Sequence, residues 1–219
     1  MRIAVLGTGL VGETLASRLV EVGHEVRMGS RTANNEKAAA WAAKAGPKAG
    51  HGTFAVVAAW AEVIVSAVHG EATLAALQSV GAEHLAGKVV VDVANRLDFG
   101  KGMPPVSLAR DGDSLAEQIQ REFPRARVVK SLNTMNTRIM VHPELVPGEH
   151  DVFLSGNDAA AKQVVRGLLR QFGWPDASIL DLGDVTTARG PENMMPMWVR
   201  VWGAFGNAPF NVHWVRAKT

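Results

Sequence analysis

Three glycines near the N-terminus are the residues best spaced to do chemistry. Gly7-Thr8-Gly9-Leu10-Val11-Gly12 follows an apolar run and opens a helical period, which fits G-x-G-x-x-G. Each glycine answers a separate need of a dinucleotide site. Gly7 permits the tight turn, Gly9 lets the backbone approach a pyrophosphate, and Gly12 lets helix and strand pack closely. The helix N-terminus, led by Leu10 and Val11, then offers unpaired N–H groups and a positive dipole end to the phosphates.

The end of the next strand selects the nucleotide. An acid there would bind a ribose 2′-hydroxyl, but the chain reads Gly29-Ser30-Arg31-Thr32, and Glu25 lies at the opposite end of that strand. An arginine plane and a serine hydroxyl suit a 2′-phosphate, and Lys37 in the following helix can add a second positive charge. NADP is therefore expected over NAD. The remaining candidates stand at further strand ends: Ser66-Ala67-Val68-His69, Ala94-Asn95-Arg96 and Asn133-Thr134-Met135-Asn136. Small and amide-bearing residues there suit a nicotinamide carboxamide, which needs a donor and an acceptor. His69 is a possible general acid, although a lone histidine is more often a cap or a packing residue. No catalytic residue is singled out. The scattered histidines have no metal-ligand spacing, so no metal is expected.

These residues need a scaffold of alternating strands and helices. Ile3–Leu6, Glu25–Met28, Val63–Val68, Val89–Ala94 and Arg127–Leu132 read as strands. Val152–Ser155, the helix Ala159–Phe172 and the strand Ser178–Leu182 add one more unit. Helices are expected from Val11 to Val22, over Ala33–Ala45, over Ser114–Phe123 and over Glu192–Phe205, with Pro196 placed in a first turn or at a kink. The pattern implies an α/β fold: a doubly wound, mostly parallel Rossmann sheet with a small C-terminal extension. A soft boundary divides a dinucleotide-binding domain, 1–135, from a C-terminal strand–helix region with a capping helix, 136–219. Asp98–Asp113, with two prolines and three glycines, is the expected long surface loop.

Composition narrows the field further. The chain has 219 residues, 47% hydrophobic, with 23 Lys and Arg against 21 Asp and Glu, and so gives no case for a nucleic-acid or membrane partner. It has no cysteine, which removes disulfides and thiol chemistry. No apolar run is long enough to span a membrane, and a cytoplasmic location is expected. Met194, Met195, Met197, Trp198 and Trp202 lie close together near the C-terminus. Such residues usually form core or a subunit interface, so a homodimer through this helix is expected, with part of the helix walling a pocket.

Taken together, the chain resembles the coenzyme F-420-dependent NADP reductase family, in a form similar to its bacterial branch. The likeness rests on Gly7–Gly12, Gly29-Ser30-Arg31 with Lys37, Val128–Met135, Leu154-Ser155-Gly156-Asn157-Asp158 and Leu180–Arg189. It implies pyrophosphate contacts from Thr8 to Val11 and 2′-phosphate contacts from Ser30, Arg31 and Lys37. It also implies a cleft near His69, Asn133, Thr134 and Met135 where nicotinamide and deazaflavin stack beneath the C-terminal segment. The implied activity is hydride transfer between NADPH and coenzyme F-420 or a flavin-like acceptor. Two other readings stay open: an NADP-binding sensor without turnover, and a reductase of imines or 2-keto acids.

Overall fold

The computed structural model describes residues 1–98, 100, 102–103, 105–108, 112–206, 208–215 and 217. Six residues of the expected loop Asp98–Asp113 lie outside the described residues.

Eight strands form one sheet: β1 (Arg2–Leu6), β2 (Glu25–Ser30), β3 (Ala49–Thr53), β4 (Val63–Ser66), β5 (Val89–Asp92), β6 (Arg127–Lys130), β7 (Val152–Ser155) and β8 (Ile179–Gly183). Their spatial order is β3-β2-β1-β4-β5-β6-β7-β8. The first six follow the doubly wound nucleotide-binding order, with the direction of winding reversing between β1 and β4. All pairs are parallel except β6 with β7, which meet antiparallel at Lys130 and Ser155. The sheet therefore runs without a break through residues on both sides of position 135. A two-residue antiparallel ribbon, Leu97–Asp98 with Val106–Ser107, stands apart from it.

Helices cover both faces, which is why the central strands are continuous apolar runs. One face holds α1 (Leu10–Glu21), α2 (Glu36–Ala45), α7 (Thr137–Val141) and α8 (Ala159–Phe172) over a core that includes Ile3, Val5, Leu15, Leu19, Val65 and Val91. The other holds α3 (Phe54–Trp60), α4 (Thr73–Val80), α5 (Ala82–Leu85) and α6 (Leu115–Glu122), packed around Leu6, Ile64, Val90 and Val128. Local sequence sets the helix ends. Asp158 caps α8 by accepting from the Ala161 N–H at 2.8 Å, and Gly173, at φ 106°, ends it in a left-handed turn. Ser114 and Glu117 form a reciprocal capping box at α6.

Several expectations change. The strand β3 and the helices α3, α4, α5 and α7 were not anticipated, so the strand expected third in the sequence is the fourth. Ala49-Gly50-His51-Gly52-Thr53 has no apolar alternation of its own; it is an edge strand specified by its ladder with β2, and Thr53 then caps α3. The expected helix Glu192–Phe205 is two helices, α9 (Arg189–Asn193) and α10 (Met195–Ala204). Pro196 falls in the first turn of α10, where its missing N–H breaks no helical bond.

Candidate functional site

The glycine loop lies at the carboxyl end of β1, in the middle of the sheet, and each glycine meets a different constraint. Gly7 has φ 120°, and a Cβ there would come within 2.6 Å of the Ala67 carbonyl oxygen. A Cβ on Gly12 would fall 2.2 Å from the Gly7 carbonyl oxygen, so helix α1 can sit this close to β1 only with glycine at that position. A Cβ on Gly9 would meet no non-neighbouring atom within 4 Å. Gly9 is also the N-cap of α1 and supplies no side-chain acceptor, which leaves the first-turn N–H groups facing open space. The loop thus offers what a phosphate cradle needs: fixed donors, a positive dipole end and room.

A cavity of about 680 Å³ opens in front of this cradle. Its walls come from Gly7, Thr8 and Gly9, from Ser30 and Arg31 after β2, from Ala67, Val68 and His69 after β4, and from α4. Arg31 and His69 are its ionisable lining residues among those described, so no lining carboxylate opposes an anion. Ser30 is buried and donates its hydroxyl to the Thr32 carbonyl at 2.5 Å, which tightens the turn that presents Arg31. The Arg31 side chain is exposed, with no hydrogen bond or ion pair to a described residue. His69 occupies the cap position of the short turn Gly70–Ala72, yet its ring caps nothing.

Lys37 lies elsewhere. It lines a neighbouring cavity of about 440 Å³ with Leu10, Glu13, Trp41 and Lys44, which shares Thr8 and Gly9 with the first at the loop. Leu10 is exposed at the loop tip, whereas Val11 packs on the core. Thus the structure gathers Gly7, Thr8, Gly9, Ser30, Arg31, Ala67, Val68 and His69 about one cavity, while Lys37 lines the adjoining one. Several lining residues carried no advance signal. Phe54 follows the unanticipated β3, while Ala72, the N-cap of α4, and Ala75, Ala76 and Ser79 within it line up on one side. Their i, i+3, i+4, i+7 spacing was available to reading, but small residues do not stand out from a core face.

The strand-end amides occupy a different setting. Asn133, Thr134 and Met135 are buried, and Met135 belongs to the hydrophobic core. Asn95 is half-buried and pairs reciprocally with Asn133: Asn95 Nδ2 donates to the Asn133 carbonyl at 2.7 Å, and Asn133 Nδ2 donates to Asn95 Oδ1 at 2.8 Å. Beneath them Ser66, Asp92 and Lys130 stand in register on adjacent strands, so they share one face of the sheet. All three are buried, and the Ser66 hydroxyl has no partner among the described residues. Lys130 Nζ makes ion pairs of 2.8 Å with Asp92 and with Glu192 of α9. Burial pushes the Asp92 carboxyl above its ordinary range against the pull of Lys130. Burial also opposes the Lys130 charge, but the two carboxylates outweigh it and hold that ammonium above the usual lysine range. No feature of the sequence alone pointed to Glu192 as a member of this cluster.

Comparison with known proteins gives the same picture over the length of the chain. A family model described as NADP oxidoreductase, coenzyme F420-dependent, matches residues 2–96. A crystal structure of a candidate F420-dependent NADP-reductase from Arthrobacter sp. FB24 is 50% identical and superposes with a TM-score of 0.91, covering 99% of this chain and 100% of that one. The metalloreductase STEAP3 of Rattus norvegicus is 31% identical over 205 residues, which is 90% of this chain and 38% of that protein. The chain thus spans less than half the length of these curated relatives, from 37% to 46%. An imine reductase of Streptomyces aurantiacus, 18% identical with a TM-score of 0.66, covers 93% of this chain and 63% of that one and shares the fold.

Proposed function

The chain belongs to the coenzyme F-420-dependent NADP oxidoreductase family, and from that premise we propose that it moves hydride between NADPH and a deazaflavin or flavin-like acceptor. Its class, an NADP-dependent oxidoreductase, follows from the family; the acceptor is our own reading. The observation that carries it is the 680 Å³ cavity, which joins an unobstructed helix N-terminus to an unpaired Arg31 and has no described carboxylate in its wall. NADPH supplies the hydride when bound.

In this reading the first turn of α1 and the Thr8–Gly9 backbone hold the pyrophosphate, while Arg31 and Ser30 hold the 2′-phosphate. Lys37, in the first turn of α2 just after the cavity-lining Asn35, adds a second positive charge to that phosphate. The nicotinamide end points past His69 toward the ends of β5 and β6, where Asn95 and Asn133 meet. The protein's task is then to align two flat rings and keep water out, with no protein nucleophile required. The domain division near residue 135 belongs to the same proposal, with 1–135 carrying the nucleotide and 136–219 completing the cleft. So does a homodimer through α10, which buries only Met195 and leaves Met197 exposed, with Phe205 exposed just beyond its end. Among the described residues no helix is long and apolar enough to cross a membrane.

The test is NADPH oxidation against a panel of coenzyme F-420, FMN, riboflavin, an imine and a 2-keto acid. Turnover confined to the deazaflavin and flavins is expected. Turnover with the imine alone would replace the acceptor assignment. Tight NADP binding with no turnover by any acceptor would make the protein a sensor.

A further inference from the structure

The carboxyl ends of β5 and β6 bury a full ammonium among strands whose interiors are apolar. Lys130 is 1% exposed, Asp92 0% and Glu192 1%. Burying such groups without partners carries a penalty of several kcal/mol per ion, and a well-packed apolar substitute is often at least as stable. A purely structural need therefore does not explain them well.

What the cluster holds is specific. Lys130 Nζ donates to the Ala94 carbonyl, and Asp92 Oδ1 accepts from the Ala94 N–H at 3.0 Å, so the residue before Asn95 is gripped at both backbone groups. On the neighbouring strand end Leu132 has φ 62°, the only left-handed conformation of a non-glycine residue among those described. That strain sits immediately before Asn133 and turns its amide toward Asn95. Ser131 fixes the turn from the other side, donating its hydroxyl to the Phe153 carbonyl at 2.8 Å. The pair also supports the wall of the large cavity. A Cβ on Gly70 would lie 2.1 Å from the Asn95 carbonyl oxygen, so the loop that carries His69 rests directly on this backbone. After their mutual bonds, each Asn side chain keeps hydrogen-bonding capacity of its own.

We propose that Lys130 is a positioning residue for the nicotinamide end of the site. Through the Ala94 carbonyl it fixes the Asn95–Asn133 amide pair, and that pair orients the nicotinamide carboxamide. The proposal rests on the reading above, in which NADP lies across the large cavity with its nicotinamide toward β5 and β6.

The experiment compares two probes on the full chain: NADPH, and 2′-phospho-ADP-ribose, which has the same phosphates but no nicotinamide. Affinities are read by calorimetry, and nicotinamide emission gives a second readout. Wild-type protein is expected to bind NADPH about tenfold tighter than the fragment, as two neutral hydrogen bonds allow. In Lys130→Met the fragment affinity stays the same and the NADPH advantage falls to about twofold, with reduced nicotinamide emission. Asn95→Ala produces the same loss, and the double variant Lys130→Met/Asn95→Ala loses no more than either alone. If Lys130→Met fails to fold, Asp92→Asn serves in its place. It preserves shape and an acceptor for the Ala94 N–H, and a smaller loss in the same direction is expected. Equal weakening of both probes, or additive losses in the double variant, would make Lys130 merely structural and overturn the proposal. Failure of wild-type protein to bind either probe would overturn the NADP reading itself, and this inference with it.

Discussion

The two ends of the proposed nucleotide site are built on opposite principles. At the end of β1 the site is made of backbone: glycines, first-turn N–H groups and one unpaired arginine, open to solvent. At the ends of β5 and β6 it is made of side chains, closed off, with an ammonium locked between two carboxylates. A phosphate arrives with its own charge and needs only donors and room. A nicotinamide carboxamide is neutral, so it has to be oriented by groups that are themselves rigidly held. The contrast suggests that affinity is concentrated at the open end and geometry at the closed one.

The sharpest way to break the comparison is at the closed end. Lys130→Met leaves two buried carboxyl groups without their cation, and a loss of about 3–5 kcal/mol of stability is expected in denaturant titrations. A loss below about 1 kcal/mol would mean the cluster is not energetically closed. At the open end two glycines separate fold from function. Gly12→Ala forces α1 off β1 and should cost about 2–3 kcal/mol. Gly9→Ala meets no atom within 4 Å and has an ordinary φ of −84°, so its stability should stay within about 0.5 kcal/mol of wild type. Its NADP affinity should nevertheless fall, because the added methyl occupies phosphate space. Arg31→Glu should weaken NADP by roughly thirtyfold, the loss of a charged hydrogen bond, and leave NAD nearly unchanged. Equal losses for both nucleotides would remove the 2′-phosphate assignment.

A smaller effect is expected from pH. The Lys130 pKa is raised in the folded protein. Its contribution is therefore complete below the unfolded lysine value of about 10.4 and is lost as pH rises through the folded value. The denaturation midpoint should fall on that alkaline limb, and the fall should be shallower in Lys130→Met.

The open end was legible in the sequence because its determinants are local. Gly7, Gly9, Gly12, Ser30 and Arg31 lie within two strand–helix turns, and each turn is specified by the residues that form it. So was helix α8, whose expected span Ala159–Phe172 matches the structure, because Asp158 and Gly173 mark both ends. The closed end was only half legible. Asn95 and Asn133 could be read as strand-end amides, but their bond joins residues 38 apart in sequence. Glu192 reaches Lys130 only through the packing of α9. The edge strand β3 was missed for the same reason: Gly50 and Gly52 say nothing about a strand until β2 is beside them. Lys37 shows a middle case: it follows Asn35, which lines the cavity of Arg31, and itself lines the adjoining one.

The aromatic residues have an optical consequence. With no tyrosine and six tryptophans, the protein's near-ultraviolet emission comes almost entirely from indole. Trp41 lies in the wall of the cavity beside the glycine loop, while Trp198 and Trp202 stack at 6.2 Å in the C-terminal helix and Trp214 is exposed beyond it. The other two, Trp60 at the end of α3 and the buried Trp174, lie in neither place. Subtracting the emission of Trp41→Phe or of Trp214→Phe from that of the wild-type protein would isolate the indole beside the glycine loop or the exposed one at the tail, so each could be followed without a label.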